Sequence, residues 1–156
     1  MGEETCEFVR ARLEQRRADV RTATFGLTEG AAAAIGVSPE WSALDTLRHI
    51  LAWQQLALRC LDEWQSRRNL APAPHDEDRT NAALLAERAG LGLDETLELI
   101  AASYARFEGL LAAGDAELAE EALAPWGERV TQLQAISGIL WHDGEHLAEI
   151  ARARSL

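Results

Sequence analysis

Thiols are scarce in this sequence: Cys6 and Cys60 are the only two, they stand far apart, and no C-x-x-C spacing joins them. That argues against both a disulfide framework and a thiolate zinc site, and it suits a reducing cytoplasmic compartment. Proline is scarce too, with four residues, and β-branched residues are few beside the dominant alanine and leucine. Strands are therefore disfavoured almost everywhere, and an all-α class follows.

Positive charge is the next shortage. Fifteen Lys and Arg against 26 Asp and Glu leave a formal charge of -11, which repels a phosphate backbone, and no basic stripe with interleaved aromatics offsets it. Nucleic acid is excluded as an expected partner. The arginines near the start (Arg10, Arg12, Arg16, Arg17, Arg21) alternate with Glu7, Glu14 and Asp19 at helical spacing and read as a solvated helix face. No uninterrupted apolar run is long enough to span a bilayer, and Met1 to Arg10 is acidic without an apolar leader core. A soluble, intracellular chain with no membrane partner is expected. Repeats, low-complexity tracts and linkers are also missing, so residues 1–156 read as one domain, long enough to bury a core.

What is present is helical periodicity. Glu4 to Thr24 carries Val9, Leu13 and Val20 on one stripe and stops near Gly26. Leu27 to Gly36 reads as a short alanine-rich helix started by Thr28, and Ser38-Pro39 then forces an extended turn. Ser42 and Asp45 predict a capping box for a second long helix whose apolar positions run from Leu47 to Trp64. Asn69 to Asp78 has loop composition, Thr80 to Gly90 predicts a short helix, and Asp94 is the expected N-cap of a third long helix that Gly114 closes. Asp115 to Pro125 predicts a weaker helical piece, and Thr131 opens a last helix reaching nearly to Leu156. Four long amphipathic helices make a bundle.

The four histidines carry the chemistry. His142 and His146 form an i, i+4 pair on one helical face, a spacing that brings two imidazoles to one metal ion. His49 lies among bulky apolar neighbours, where a buried imidazole needs a partner that a shared metal would supply. Three neutral imidazoles leave coordination positions open, the pattern of catalytic rather than closed structural sites. The site is not the helical zinc-protease motif, because Asp143 follows the first histidine and Glu145 sits two residues later on another azimuth. From spacing alone, a metal site and satisfied core histidines both remain open.

Trp41-Ser42 at the start of helix two, His49 followed by Trp53, and Trp141-His142-x-x-x-His146-Leu147-x-x-Ile150 form a combination that resembles the DinB-like family, over nearly the whole chain. That family includes YfiT-like metal-dependent hydrolases and enzymes that use mycothiol or bacillithiol. The resemblance implies an up-down-down-up four-helix bundle and one divalent ion, nickel or zinc foremost, on His49, His142 and His146. The family name reflects induction by DNA damage rather than DNA binding, and the resemblance carries over no substrate.

Around that set, Trp53 and Leu56 follow His49 on one face and are expected either to wall the open metal position or simply to fill core. Cys60 falls near the same azimuth but roughly 16 Å along the axis, too far to ligate. Asp45 and Glu149 stand one turn from a histidine each, as imidazole acceptors or as cap and solvated residue. Glu145 borders the metal-facing side and is the candidate catalytic base. His75 is expected to be solvated in the crossover unless the loop folds over the site, and Gly138 to permit a close approach. Trp64, Trp126 and Tyr104 read as core or homodimer-interface aromatics.

The expected function is a metal-dependent enzyme acting on a small-molecule substrate. It is either a transferase using a low-molecular-weight thiol or a hydrolase using water. For a thiol cofactor's carboxylates the chain offers only scattered arginines such as Arg48, Arg79 and Arg88. A non-catalytic small-molecule-binding module and a structural helical dimer are the competing readings.

Overall fold

The computed structural model describes residues 4–156, so the first three residues of the acidic start lie outside it. Four long helices, α1 (Cys6–Thr24), α3 (Ala43–Asp62), α6 (Leu93–Leu111) and α8 (Gln132–Ala153), make the bundle. Short helices α2 (Glu29–Ala34), α4 (Trp64–Arg67), α5 (Glu77–Glu87) and α7 (Asp115–Leu118) fill the connections.

Side-chain ties fix the direction of each helix. Arg12 reaches Ser137, Arg16 the Leu140 carbonyl and Arg154 the Ala23 carbonyl, so α1 and α8 ascend together. Arg48 reaches the Leu91 carbonyl and Arg106 reaches Asp62, so α3 and α6 also run parallel. The ends of α1 and α6 meet in opposite sense, through Arg10 to the Leu111 carbonyl and Arg17 to Glu108. The order is up-down-down-up, and parallel neighbours require the long excursion between α3 and α6.

Local signals explain most boundaries. Thr5, Thr28, Ser42 and Thr131 each accept a hydrogen bond from a backbone N–H in the first turn, and Ser42 with Asp45 and Thr131 with Gln134 form full capping boxes. Each such cap contributes about 1 kcal/mol. Three expectations shift. The short helix begins at Glu77 rather than Thr80, because Asp76 caps it through the Arg79 N–H. Gly92 rather than Asp94 is the N-cap of α6, and Asp94 lies in the first turn, where a negative charge suits the helix dipole.

The largest difference is Asp115 to Pro125. Only Asp115–Leu118 is helical; Glu121–Leu123 is a strand (β1) paired antiparallel with Arg129–Thr131 (β2). Glu-Ala-Leu favours a helix by composition, but the turn at Pro125-Trp126-Gly127, with Gly127 at φ +90°, folds the chain back onto a partner strand. The crossover then straps onto this hairpin. Arg67 donates to the Leu123 carbonyl, Arg129 to the carbonyls of Arg68 and Leu70, and the Ala73 N–H to the Gly127 carbonyl. From the hairpin turn, the Trp126 ring rests on Gly138, which explains that glycine. Tyr104, Trp64 and Cys60 are core residues.

Candidate metal centre

His49 projects from the first half of α3, His142 from the middle of α8 and His146 one turn later, two helices packed antiparallel, so their rings meet in one place. His49 Nε2 lies 2.9 Å from His142 Nε2 and 3.1 Å from His146 Nε2. Metal–nitrogen bonds of about 2.0–2.1 Å place two ligands about 3.0 Å apart at a right angle and about 3.4 Å apart at the tetrahedral angle. The donor set therefore fits a divalent ion, and the three histidines could hold one.

The electrostatics agree. Burial, then the neighbouring His142 and His146, push His49 down from 6.5 to about 2, so its imidazole stays neutral and keeps a lone pair to give. The outer rings are only partly covered, with side chains 25% exposed at His142 and 19% at His146, which leaves an approach from solvent. Trp41 closes one side, its ring 4.6 Å from His49 and 6.4 Å from His146 between centroids. Trp53 stands on the other, 6.0 Å from His142, with its indole N–H held by Asn81.

His146 is oriented from behind, its Nδ1 2.8 Å from Glu149 Oε2. Of the two carboxylates considered as imidazole acceptors, only Glu149 has a histidine; Asp45 is spent on the Ser42 N–H and on Arg48. Glu145 is exposed, and Leu56 is half-buried against the core. His75 is exposed yet is not adrift: the strap carries it to the edge of the Trp53 ring, 5.6 Å between centroids. Arg48 donates to Asp45 and the Leu91 carbonyl, and buried Arg88 to Gln55 and the Leu84 carbonyl, so both serve the fold. Cys60 is not among the gathered donors.

The family model of the DinB superfamily matches residues 12–150. The chain belongs to the DinB superfamily. A search of curated proteins finds no match. Among solved structures, an uncharacterised protein of Clostridium difficile 630 superposes with a TM-score of 0.78 at 12% identity, covering 100% of this chain and 99% of that one. DfsB, described as a sibling lethal factor precursor, gives 0.75 at 12% identity over 99% and 97%. YfiT from Bacillus subtilis, described as a probable metal-dependent hydrolase with an unusual four-helix bundle topology, gives 0.71 at 17% identity over 98% and 87%. At these identities the likeness to the solved structures is one of fold alone.

Two residues beside the histidine cluster are not apparent from motif spacing. Gly144 admits Arg16: a Cβ there would sit 2.5 Å from the guanidinium carbon, which is anchored on the Leu140 carbonyl and Asp19. Asp143 carries a carboxyl group and is fully buried. Its signal is present in the sequence, because Leu140, Asp143, Leu147 and Ile150 follow one core stripe and a carboxylate interrupts it. Among the described residues, no helix is long and apolar enough to cross a membrane.

Proposed function

We propose that this protein is a metal-dependent enzyme acting on a small molecule, with one nickel or zinc ion on His49, His142 and His146. The observation that carries this reading is the convergence of three imidazole Nε2 atoms from two helices, with His49 buried, at separations suited to a shared ion. A divalent ion bound by three neutral ligands keeps its full charge and open positions, and so lowers the pKa of a bound water or thiol.

The chain's own residues do the rest. Trp41 and Trp53 flank the cluster and keep bulk water off two sides, and Trp53 with Leu56 on the same face of α3 would offer an apolar wall to a substrate. Glu149 fixes the ring of His146, and the solvent-exposed Glu145, between the two α8 histidines in sequence, is the carboxylate assigned to take the proton. Hydrolysis is favoured over thiol transfer on one point: Arg48 and Arg88, two of the cations that would suit a thiol cofactor's carboxylates, are already bound within the fold.

Turnover of activated esters and amides and of thiol conjugates, measured with the zinc- and nickel-loaded protein before and after chelation, tests the reading. Turnover that falls at least tenfold with chelator and returns with the ion supports it. Turnover indifferent to the ion, or a ligand recovered chemically unchanged in every assay, would leave a binding module instead.

A further inference from the structure

Asp143 points into the bundle from α8 and has no exposure. Its Oδ2 accepts from Gln54 Nε2 of α3 at 2.7 Å and from the Tyr104 hydroxyl of α6 at 3.0 Å, so three helices meet on one carboxylate. Burial, and then the adjacent Asp143, hold the Tyr104 phenol well above its usual range, which keeps it a donor. Asp143 Oδ1 has no hydrogen-bond partner, and neither has the buried Nδ1 of His142. These two atoms lie 3.6 Å apart.

A buried polar atom left unpaired costs about 1–3 kcal/mol, so two such atoms side by side need an explanation. One is an acceptor and the other can carry a proton. A movement of about 0.5 Å brings them within hydrogen-bond distance. We infer that Asp143 is a positioning residue for His142: its Oδ1 accepts a hydrogen bond from Nδ1–H and fixes the tautomer whose Nε2 lone pair faces His49 and His146. Gln54 and Tyr104 hold the carboxylate at that setting, as Glu149 does for His146 in a more exposed place. A purely structural carboxylate tying α3, α6 and α8 together predicts changes in stability and nothing at the imidazole.

The consequence for affinity rests on the metal-enzyme reading, but the tautomer does not, and the experiment separates them. Imidazole 15N spectra of the metal-free protein at mildly alkaline pH read the protonated nitrogen of His142 directly. The inference expects an Nδ1–H tautomer in the wild type, loss of that preference in Asp143→Leu, and partial retention in Asp143→Asn, whose side-chain oxygen still accepts. Zinc affinity by chelator competition is expected to fall tenfold to a hundredfold in Asp143→Leu and less in Asp143→Asn. An Nε2–H tautomer at His142 in the wild type overturns the inference, and this holds even where the leucine variant fails to fold. A folded Asp143→Leu protein with unchanged tautomer and zinc affinity also overturns it. A wild type with the Nδ1–H tautomer that takes up no zinc supports the role of Asp143 and defeats the metal reading instead.

Discussion

His49 Nε2 and His142 Nε2 lie 2.9 Å apart although 93 positions of sequence separate them. One turn further along α8, His146 Nε2 completes the contact at 3.1 Å from His49. Lone pairs facing one another at this distance repel unless a proton or a cation lies between them. The bundle holds them there through helix-to-helix packing whose origin is apolar burial, and the resulting cluster could hold a metal ion.

Acid should destabilise the metal-free protein through His49. Its folded-state pKa of about 2 lies below the ordinary 6.5, so between those values the unfolded chain binds the extra proton. Stability therefore rises with pH across that window and is lost as pH falls below about 6.5. Between pH 7 and 5 the loss from this one residue is about 2 kcal/mol. Denaturant titrations of apo wild type and His49→Asn at both values should show a steeper pH dependence in the wild type. Equal slopes would show that His49 titrates normally in the fold.

Gly127→Ala should cost about 1–3 kcal/mol, because φ of +90° is strained for alanine and its Cβ would lie 2.6 Å from the backbone oxygen of Ala73. The strap that carries His75 to the Trp53 ring runs through this contact. Denaturation midpoints measure the cost, and faster amide exchange over residues 70–76 should accompany it. Wild-type stability in the variant would contradict the strapped geometry.

Much of this was legible from residues alone, and the exceptions have physical causes. The four long helices, the capping box at Ser42 and the one at Thr131 follow from local periodicity and side-chain chemistry. The histidine trio follows from i, i+4 spacing and from a family resemblance that names His49. β1 is not legible locally because Glu121–Leu123 is three residues of helix-favouring composition, and its partner strand, the nearby turn and the strap are what make it extended. In the sequence Asp143 stands out only as a departure from a protease motif; its place on the core stripe signals burial, but its partners Gln54 and Tyr104 come from other helices. The fate of Arg48 and Arg88 likewise depends on carbonyls and an amide that no motif announces.

Glu149→Ala should weaken zinc binding about tenfold, since it frees the His146 ring while leaving the three ligands in place. Its side chain is 42% exposed, so the apo fold should unfold at a wild-type midpoint. Chelator competition reads the affinity, and an unchanged dissociation constant would show that the contact is incidental.

Metal content of untagged protein by elemental mass spectrometry, for wild type, His49→Ala and His146→Ala at matched concentration, tests the metal centre most directly. Close to one nickel or zinc ion per chain is expected in the wild type, with its loss in both variants. A wild type that is folded, carries no ion and takes up none when nickel or zinc is added would contradict it.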